Sequence, residues 1–401
     1  MYLKYSAIIW TYIALLMEVS LSEAKDYTNY KLLKVEPDSS FDRTRIYHML
    51  VDDVDFWTEP SALKSELQFM VGPHQLSDVM ELLDSLNISS TVLMENIQEV
   101  INKQLTETQD RDCSENITKN NIRSFFNSSM NWKHFQNIDV IHDFLYETAR
   151  INPSIASVFS IGKSYEGRDL LILKVGTPSP QGNIKPAIFI EGGIHAREWI
   201  SPAATTYMIK EFVFNYKKNK EILEAIDLYI LPVMNPDGYA YTFRKDRLWR
   251  KSRSRNGGLL GSILPACVGV DLNRNFGYKW LAQNSLLHAR GGSSLSCLET
   301  YAGTSPFSEP ETRALGNFLL GHRDIFQVGT SSEVQYRSSG GADDFAKGAL
   351  GIKWVYLIEL PDRGRHGFLL PANLINPVSF SVFQGIREFA RRIAKSQFRG
   401  Q

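Results

Sequence analysis

Short apolar runs that alternate with helical patterns dominate the chain from Trp132 onward, and they limit the folds it can adopt. Ala187–Ile190, Leu228–Met234 and Val355–Leu360 are apolar enough to be strands buried on both faces of a sheet. Helical patterns lie between or beyond them, at Pro202–Tyr216, Glu309–His322 and Val382–Ile393. This alternation predicts an α/β fold with helices flanking a mixed, largely parallel sheet.

A smaller α+β unit precedes this pattern. Strand-like segments at Tyr30–Glu36, Glu66–Val71 and Thr91–Glu95 alternate with helical patterns at Phe41–Val51 and after Pro73. This order predicts a ferredoxin-like sandwich, in which two helices cover one face of a sheet.

Polar and charged residues prevail between the two units, from Asn102 to Asn131. Such a stretch predicts an exposed linker that a protease could cut. A trypsin-like enzyme would cleave after Arg111, Lys119 or Arg123, and the sequence does not choose among them.

The first residues have the features of a secretory signal. One basic residue in Met1–Lys4 precedes the apolar run Ile8–Met17, and small residues follow at Ser20–Ala24. The run is shorter than the ~20 residues that span a bilayer, so a membrane anchor is the weaker alternative. Three glycosylation sequons fit an exported protein, at Asn87, Asn116 and Asn127. With 44 basic and 44 acidic residues, the chain is no simple polybasic nucleic-acid binder.

A first candidate site follows the Ala187–Ile190 run. Two glycines lead into His195 and Glu198, whose spacing lets an imidazole and a carboxylate bind one zinc ion. The H-x-x-E pattern by itself is a weak signal, and its position at a strand end strengthens it.

Two more polar clusters lie downstream. Arg274 can bind a carboxylate through both arms of its guanidinium, Asn273 can add an amide donor, and Arg250 can donate to an oxyanion. The alternative is a set of ordinary surface arginines. Glu359 ends an apolar run, where burial would raise its pKa toward the range useful for a general base; otherwise it caps the strand or pairs with an arginine.

Together these motifs resemble the secreted zinc metallocarboxypeptidases of the carboxypeptidase A/B family. The stretches concerned are Gly-Ile-His195-Ala-Arg197-Glu198-Trp-Ile-Ser-Pro, Gly-Val-Asp271-Leu-Asn273-Arg274-Asn, Ser-Gly-Gly-Ala-Asp343-Asp344, Ile-Glu359-Leu and the propeptide-like Val54-Asp-Phe-Trp57. The resemblance implies a signal peptide at 1–24, an activation domain with its linker at 25–123 and a catalytic domain at 124–401. It also implies a monomeric, extracellular enzyme that a trypsin-like protease activates.

The resemblance further implies a role for each site residue. His195 and Glu198 would be two of the three ligands of a Zn²⁺ cofactor. The other implied roles are oxyanion stabilisation by Arg250, binding of the substrate's terminal carboxylate by Asn273 and Arg274, closure over the substrate by Tyr336, general base catalysis by Glu359, a subsite contact by Arg197, and a disulfide between Cys267 and Cys297.

Asp343 lies where the family reads the side chain of the substrate's last residue. A carboxylate there resembles the B type, which removes C-terminal Lys or Arg. The alternatives are that Asp343 faces away or that Arg337 neutralises it.

The sequence departs from the family at the third zinc ligand. The family's histidine lies on a strand after the helix that corresponds to Glu309–His322, and a further helix follows it. Only nine residues separate Phe326 from Tyr336, which leaves no room for these elements. His322 lies on the apolar face of its own helix, so we expect a structural histidine there, and His288 and His366 lie in polar loops.

The missing ligand leaves three hypotheses. The chain is a zinc carboxypeptidase, or an inactive relative that binds peptide C-termini or a partner protein, or a misfolded product of a transcript that lacks a segment.

Overall fold

The computed structural model of the chain describes residues 24–58, 65–109, 130–179, 182, 184–255, 264, 267–281, 292–323, 340–360 and 364–398. Several residues discussed above lie outside these ranges, namely the signal region, Arg111, Lys119, Arg123, His288, Tyr336 and Arg337.

The N-terminal unit is an antiparallel sheet with helices packed against it. Its elements are β1 (Lys31–Val35), α1 (Ser40–Leu50), β2 (Asp55–Phe56), β3 (Leu67–Val71), α2 (Leu76–Ser85), β4 (Ser90–Met94) and α3 (Ile97–Gln109). The strand order is β2-β3-β1-β4. Leu33, Phe69 and Leu83 are completely buried in the core of this unit. The predicted strands and the first two helices are therefore confirmed.

Two elements of this unit differ from the prediction. The two-residue strand β2 pairs with β3, and it is too short to leave a periodic pattern in the sequence. Helix α3 continues to Gln109, so the first part of the predicted linker is helical. Its buried Ile97 and Ile101 supply the apolar contacts that hold the helix in place.

The larger unit is built on a four-stranded mixed sheet with helices on both faces. Its strands are β5 (Ala156–Lys163), β6 (Asp169–Val175), β7 (Ala187–Glu191) and β8 (Asp227–Leu231), in the order β5-β6-β8-β7. The pairs β5–β6 and β6–β8 are antiparallel, and β7–β8 is parallel. The mixed, helix-flanked sheet is confirmed, although only one of these three pairs is parallel.

Helices cover the two faces of the sheet and bury a core on each. The long ones are α4 (Ile138–Ile151), α5 (Ile200–Phe214), α6 (Tyr216–Ala225), α7 (Pro236–Arg244), α8 (Pro310–His322) and α9 (Ile375–Phe398). Ile209 of α5 and Ala390 of α9 are buried against one face, and Leu315 of α8 against the other. None of the described helices combines the length and apolar character needed to cross a bilayer.

The predicted strand at Val355–Leu360 is wrong. These residues form no regular structure, and the side chains of Tyr356 and Ile358 are 52% and 49% exposed. An apolar run becomes a buried strand only beside a neighbour that pairs with its backbone. Among the described strands the sheet ends at β7, and no strand pairs with the free edge of β7.

Candidate active site

His195 and Glu198 lie just beyond the C-terminal end of β7. Gly193 makes this turn with a φ of 65°, and a Cβ there would lie 3.1 Å from the Cα of Val233, so only glycine fits. The Nδ1 atom of His195 is 2.8 Å from Oε1 of Glu198. The sequence-predicted pair is therefore brought together, with both side chains on the same side of the turn.

Asp271 supports this pair and was not identified as a site residue from the sequence. Its Oδ1 lies 3.2 Å from Nε2 of His195, and its Oδ2 accepts hydrogen bonds from Nε and Nη2 of Arg250 at 3.2 and 2.9 Å. Burial opposes ionisation of Asp271, but Arg250 and His195 outweigh it and hold the pKa well below its usual range. One buried carboxylate thus orients both the imidazole and the guanidinium.

The same charges set the protonation of the pair. Burial and Arg250 disfavour the charged imidazole of His195, but Glu198 and Asp271 prevail and raise its pKa. Burial likewise disfavours the ionised carboxylate of Glu198, but His195 lowers the pKa of that group. Both shifts favour an ion pair between the two side chains.

The described residues do not complete a catalytic zinc site. Catalytic zinc sites commonly have three protein ligands, and no group of three metal-binding side chains occurs within the described ranges. His322 belongs to no such group of described residues, and its ring packs against Phe318 and Tyr229 in the aromatic core beneath α8. The prediction that His322 is a structural histidine is borne out.

Asn273 and Arg274 lie on the 3₁₀ turn Leu272–Arg274, one residue after Asp271. The side-chain oxygen of Asn273 accepts a hydrogen bond from the backbone N–H of Ala342 at 3.0 Å. Arg274 is 1% exposed, and its Nη1 donates to the carbonyl oxygen of Asn273 at 2.9 Å. The first bond holds the 340–344 loop on the turn, and the second holds the guanidinium against the backbone of the turn itself. That this pair, the candidate carboxylate clamp, binds a terminal carboxylate stays a prediction.

Acidic side chains collect next to the clamp. Asp343 and Asp344 end the short helix Ala342–Asp344. Burial and the neighbouring Asp343 raise the pKa of Asp344 to about 6. Burial, with a further contribution from Asp343, raises the pKa of Glu191 to about 8. Glu191 was not predicted as a site residue, and its only signal in the sequence is an acidic residue at the end of a buried strand.

Arg197 is bound by the N-terminal unit. Its Nη1 donates to Oδ2 of Asp55 at 2.6 Å, and Arg197 is only 2% exposed. Its guanidinium lies 4.2 Å from the ring centroid of Phe368, and that ring packs against Trp57 at 5.0 Å. The Asp55–Trp57 segment therefore covers the side of the site that contains Arg197.

Glu359 does not have the predicted environment. It is exposed and lies outside any strand, so the expected desolvation is absent. Glu359 belongs to the Val355–Leu360 run, and this run has no neighbouring strand in the described sheet that would bury it. The structure does form the expected disulfide between Cys267 and Cys297.

Comparisons with known proteins agree with this fold. A zinc carboxypeptidase profile matches residues 141–327 and 320–384, and a carboxypeptidase activation peptide profile matches residues 33–104. The chain belongs to the zinc carboxypeptidase family. It is a hydrolase by family, and its N-terminal unit is the family's activation peptide.

Several relatives align with this chain over most of their own length. Carboxypeptidase B of Astacus astacus is 37% identical over 65% of this chain and 97% of its own length. Carboxypeptidase B2 of Bos taurus is 32% identical over 82% of this chain and 84% of its own. Among solved structures, thrombin activatable fibrinolysis inhibitor aligns with a TM-score of 0.73 at 29% identity, covering 92% of this chain and all of its own. Carboxypeptidase A of Helicoverpa armigera gives 0.77 at 25% identity, covering 92% and 98%.

The family match is interrupted after α8. Its two parts overlap at residues 320–327. The alignment with the Astacus astacus enzyme runs over 310 positions but takes in only 65% of this 401-residue chain. That relative therefore has several dozen positions without a counterpart here.

Proposed function

We propose that this chain is the secreted proenzyme of a carboxypeptidase that removes Lys or Arg from the C-termini of peptides. The observation that supports the proposal is the position of Asn273 and Arg274 beside the carboxyl groups of Glu191, Asp343 and Asp344. A buried guanidinium suits a terminal carboxylate, and the acidic groups suit a basic side chain.

In this proposal each residue acts on a defined part of the peptide. Asn273 and Arg274 hold the terminal carboxylate, which fixes the last peptide bond in the site. Arg250, held in place by Asp271, stabilises the oxyanion that forms at that bond. Tyr336 closes over the substrate, Arg197 contacts residues upstream, and Glu359 acts as the general base. His195 and Glu198 would be two zinc ligands, and the third ligand would come from outside the described residues.

A second function, binding of peptide C-termini without hydrolysis, is favoured by the metal site. Within the described ranges two ligand candidates meet rather than three, and Glu359 is exposed. Recognition of the terminal carboxylate needs neither a metal nor a general base. Binding of the terminal carboxylate by Asn273 and Arg274 would therefore serve both functions. Only the metal site distinguishes hydrolysis from binding alone.

One experiment separates the two functions. The purified chain is treated with trypsin, its zinc content is measured, and matched peptides that end in Lys, Leu or Lys-amide are tested for hydrolysis and binding. Zinc-dependent release of Lys supports the carboxypeptidase. Tight binding of the Lys acid without release supports the binding protein. Failure to distinguish the acid from the amide would refute both.

The basic specificity has its own control. Asp343→Asn should remove the preference for Lys over Leu while it leaves the preference for acid over amide intact, because the second preference depends on Arg274. A Lys preference that survives this change would assign the selectivity to other residues.

The proposal extends to the domain boundaries, the export and the oligomeric state of the chain. We infer a signal peptide at 1–24, an activation segment at 25–123 and a catalytic domain at 124–401 in a monomeric, extracellular protein. The mass of the secreted chain before and after trypsin, together with its size in solution, tests all of these inferences.

A further inference from the structure

A pocket of about 740 Å³ lies where the activation segment meets the catalytic unit. Activation helix α3 contributes one wall, and the other walls come from the segment before α4 and from the start of α9. None of the candidate active-site residues lines it. The charged and titratable residues of its lining are Lys103, Glu107, Lys133, His134, Arg365 and His366.

The lining is strongly basic. Lys103, Lys133 and Arg365 are basic residues with exposed side chains, and Glu107 is the one carboxylate among the described lining residues. Neither Lys103 nor Arg365 forms an ion pair with a carboxylate in the described part of the chain. Within the described residues the charges of Lys103 and Arg365 are therefore not cancelled by ion pairs, and they outnumber the single carboxylate of Glu107, so the pocket has a positive field.

The start of α9 adds to this positive field. Asn373 and Leu374 line the pocket from the 3₁₀ turn Ala372–Leu374, which leads directly into the 24-residue helix α9. The first turn of α9 contains no acidic residue, and the 3₁₀ turn has no side-chain cap. The positive end of the helix dipole and the basic side chains therefore both favour an anionic ligand.

We propose that this pocket binds a compact polyanion that carries several sulfate or phosphate esters. Three cations and a helix start match several separate anionic groups better than one carboxylate. The volume lies within the roughly 300–1,000 Å³ typical of small-molecule sites. The proposal concerns a second site and does not depend on whether the chain hydrolyses peptides.

The same ligand would hold the activation segment on the catalytic unit. Lys103 belongs to α3, whereas Lys133 and Arg365 belong to the catalytic unit. Gln104, the neighbour of Lys103, accepts a hydrogen bond from Nε of Arg247 at 2.7 Å and donates to the carbonyl oxygen of Leu370 at 2.8 Å. A ligand that contacts both walls binds the assembled proenzyme better than the separated parts, so it must slow their separation.

Calorimetry on the intact chain tests the binding. The probes are sucrose octasulfate, inositol hexakisphosphate and, as the neutral control, sucrose. We expect at least one polyanion to bind and sucrose not to bind, with the stronger polyanion indicating whether sulfate or phosphate esters are preferred. Replacing Lys103→Gln and Arg365→Gln together should weaken binding about tenfold.

The matched control is Lys220→Gln, an exposed lysine on α6 away from the pocket. It should leave the affinity unchanged. Thermal melting confirms that each variant is folded. Absence of binding by both polyanions, or equal weakening by the control, would overturn the proposal.

A second measurement tests the coupling. The chain is cleaved with trypsin, the protease is quenched, and dissociation of the activation segment is followed by size-exclusion chromatography with and without the bound polyanion. We expect slower dissociation in the wild type and a smaller effect in Lys103→Gln. If the polyanion binds in the pocket but leaves the dissociation rate of the activation segment unchanged, the coupling is refuted.

Discussion

The two halves of the candidate site differ in how completely they are assembled. In the recognition half Arg274 is buried and Asn273, Asp343 and Asp344 are half-buried, and a hydrogen bond from Ala342 to Asn273 joins the loop to the turn. The metal half has His195 and Glu198 in contact but no third ligand within the described residues, and Glu359 is exposed. The recognition half is built from one continuous stretch and one loop docked on it. For the metal half, the two parts of the family match overlap at residues 320–327, next to the stretch where the sequence predicts that the family's third-ligand strand is missing.

The largest expected effect concerns zinc. With two protein ligands we expect a Kd on the order of 1 μM or weaker, which corresponds to about −8 kcal/mol, and His195→Ala should abolish binding. Competition with a chromophoric chelator measures it, and His48→Ala, an exposed histidine of α1, serves as the control. Nanomolar binding that depends on His195 would show that the metal half is complete after all.

Arg274→Gln tests the recognition half. Loss of a buried, charge-assisted contact should weaken binding of a peptide acid by about 3 kcal/mol, or roughly a hundredfold, while the peptide amide changes little. Fluorescence titration with the acid and amide of one peptide measures the difference. Arg392→Gln, an exposed arginine of α9, should leave it unchanged. If Arg274→Gln still prefers the acid as strongly as the wild type does, Arg274 does not bind the terminal carboxylate.

Asp55→Ala tests how the activation segment covers the side of the site that contains Arg197. The change leaves the buried guanidinium of Arg197 without its carboxylate, so we expect release of the cleaved segment to accelerate at least tenfold, an effect of about 1.4 kcal/mol or more. Size-exclusion chromatography after trypsin treatment measures the rate. The nearby exposed Asp53→Ala is the control, and equal acceleration by both would contradict a specific role for Asp55.

The smallest effect is a pH dependence of side-chain selectivity. The pKa of Asp344 lies near 6, so its carboxyl is largely protonated at pH 5 and ionised at pH 7. Preference for a peptide that ends in Lys over one that ends in Leu should therefore rise about threefold between these pH values. Asp344→Asn should flatten this rise. A preference for Lys over Leu that falls as the pH rises would contradict an acidic side-chain pocket.

Local patterns predicted most of the fold. Strand β7 and helix α8 follow from apolar patterns whose residues lie close together in the sequence. The Val355–Leu360 run shows the limit of this reasoning, because its apolar character specifies burial but cannot supply the strand beside it. Strand β2 was missed because two residues carry no period.

The site was predictable only where one motif contained the partners. His195 and Glu198 are three residues apart, and their contact followed from their spacing. Asp271 lies 76 residues from His195, and Asp55 lies 142 residues from Arg197, so neither contact leaves a local signal. Such long-range pairs are decided by packing of whole units, which periodicity does not describe.

The contact between Asp55 and Arg197 also makes the protein's behaviour depend on dilution. While the chain is intact, the carboxylate is tethered beside the guanidinium, at an effective concentration on the order of millimolar. A single cut in the connecting chain converts this tethered group into a free competitor that is present only at the concentration of the protein itself. The same cleaved molecule should therefore be covered in a concentrated store and open once it is dispersed.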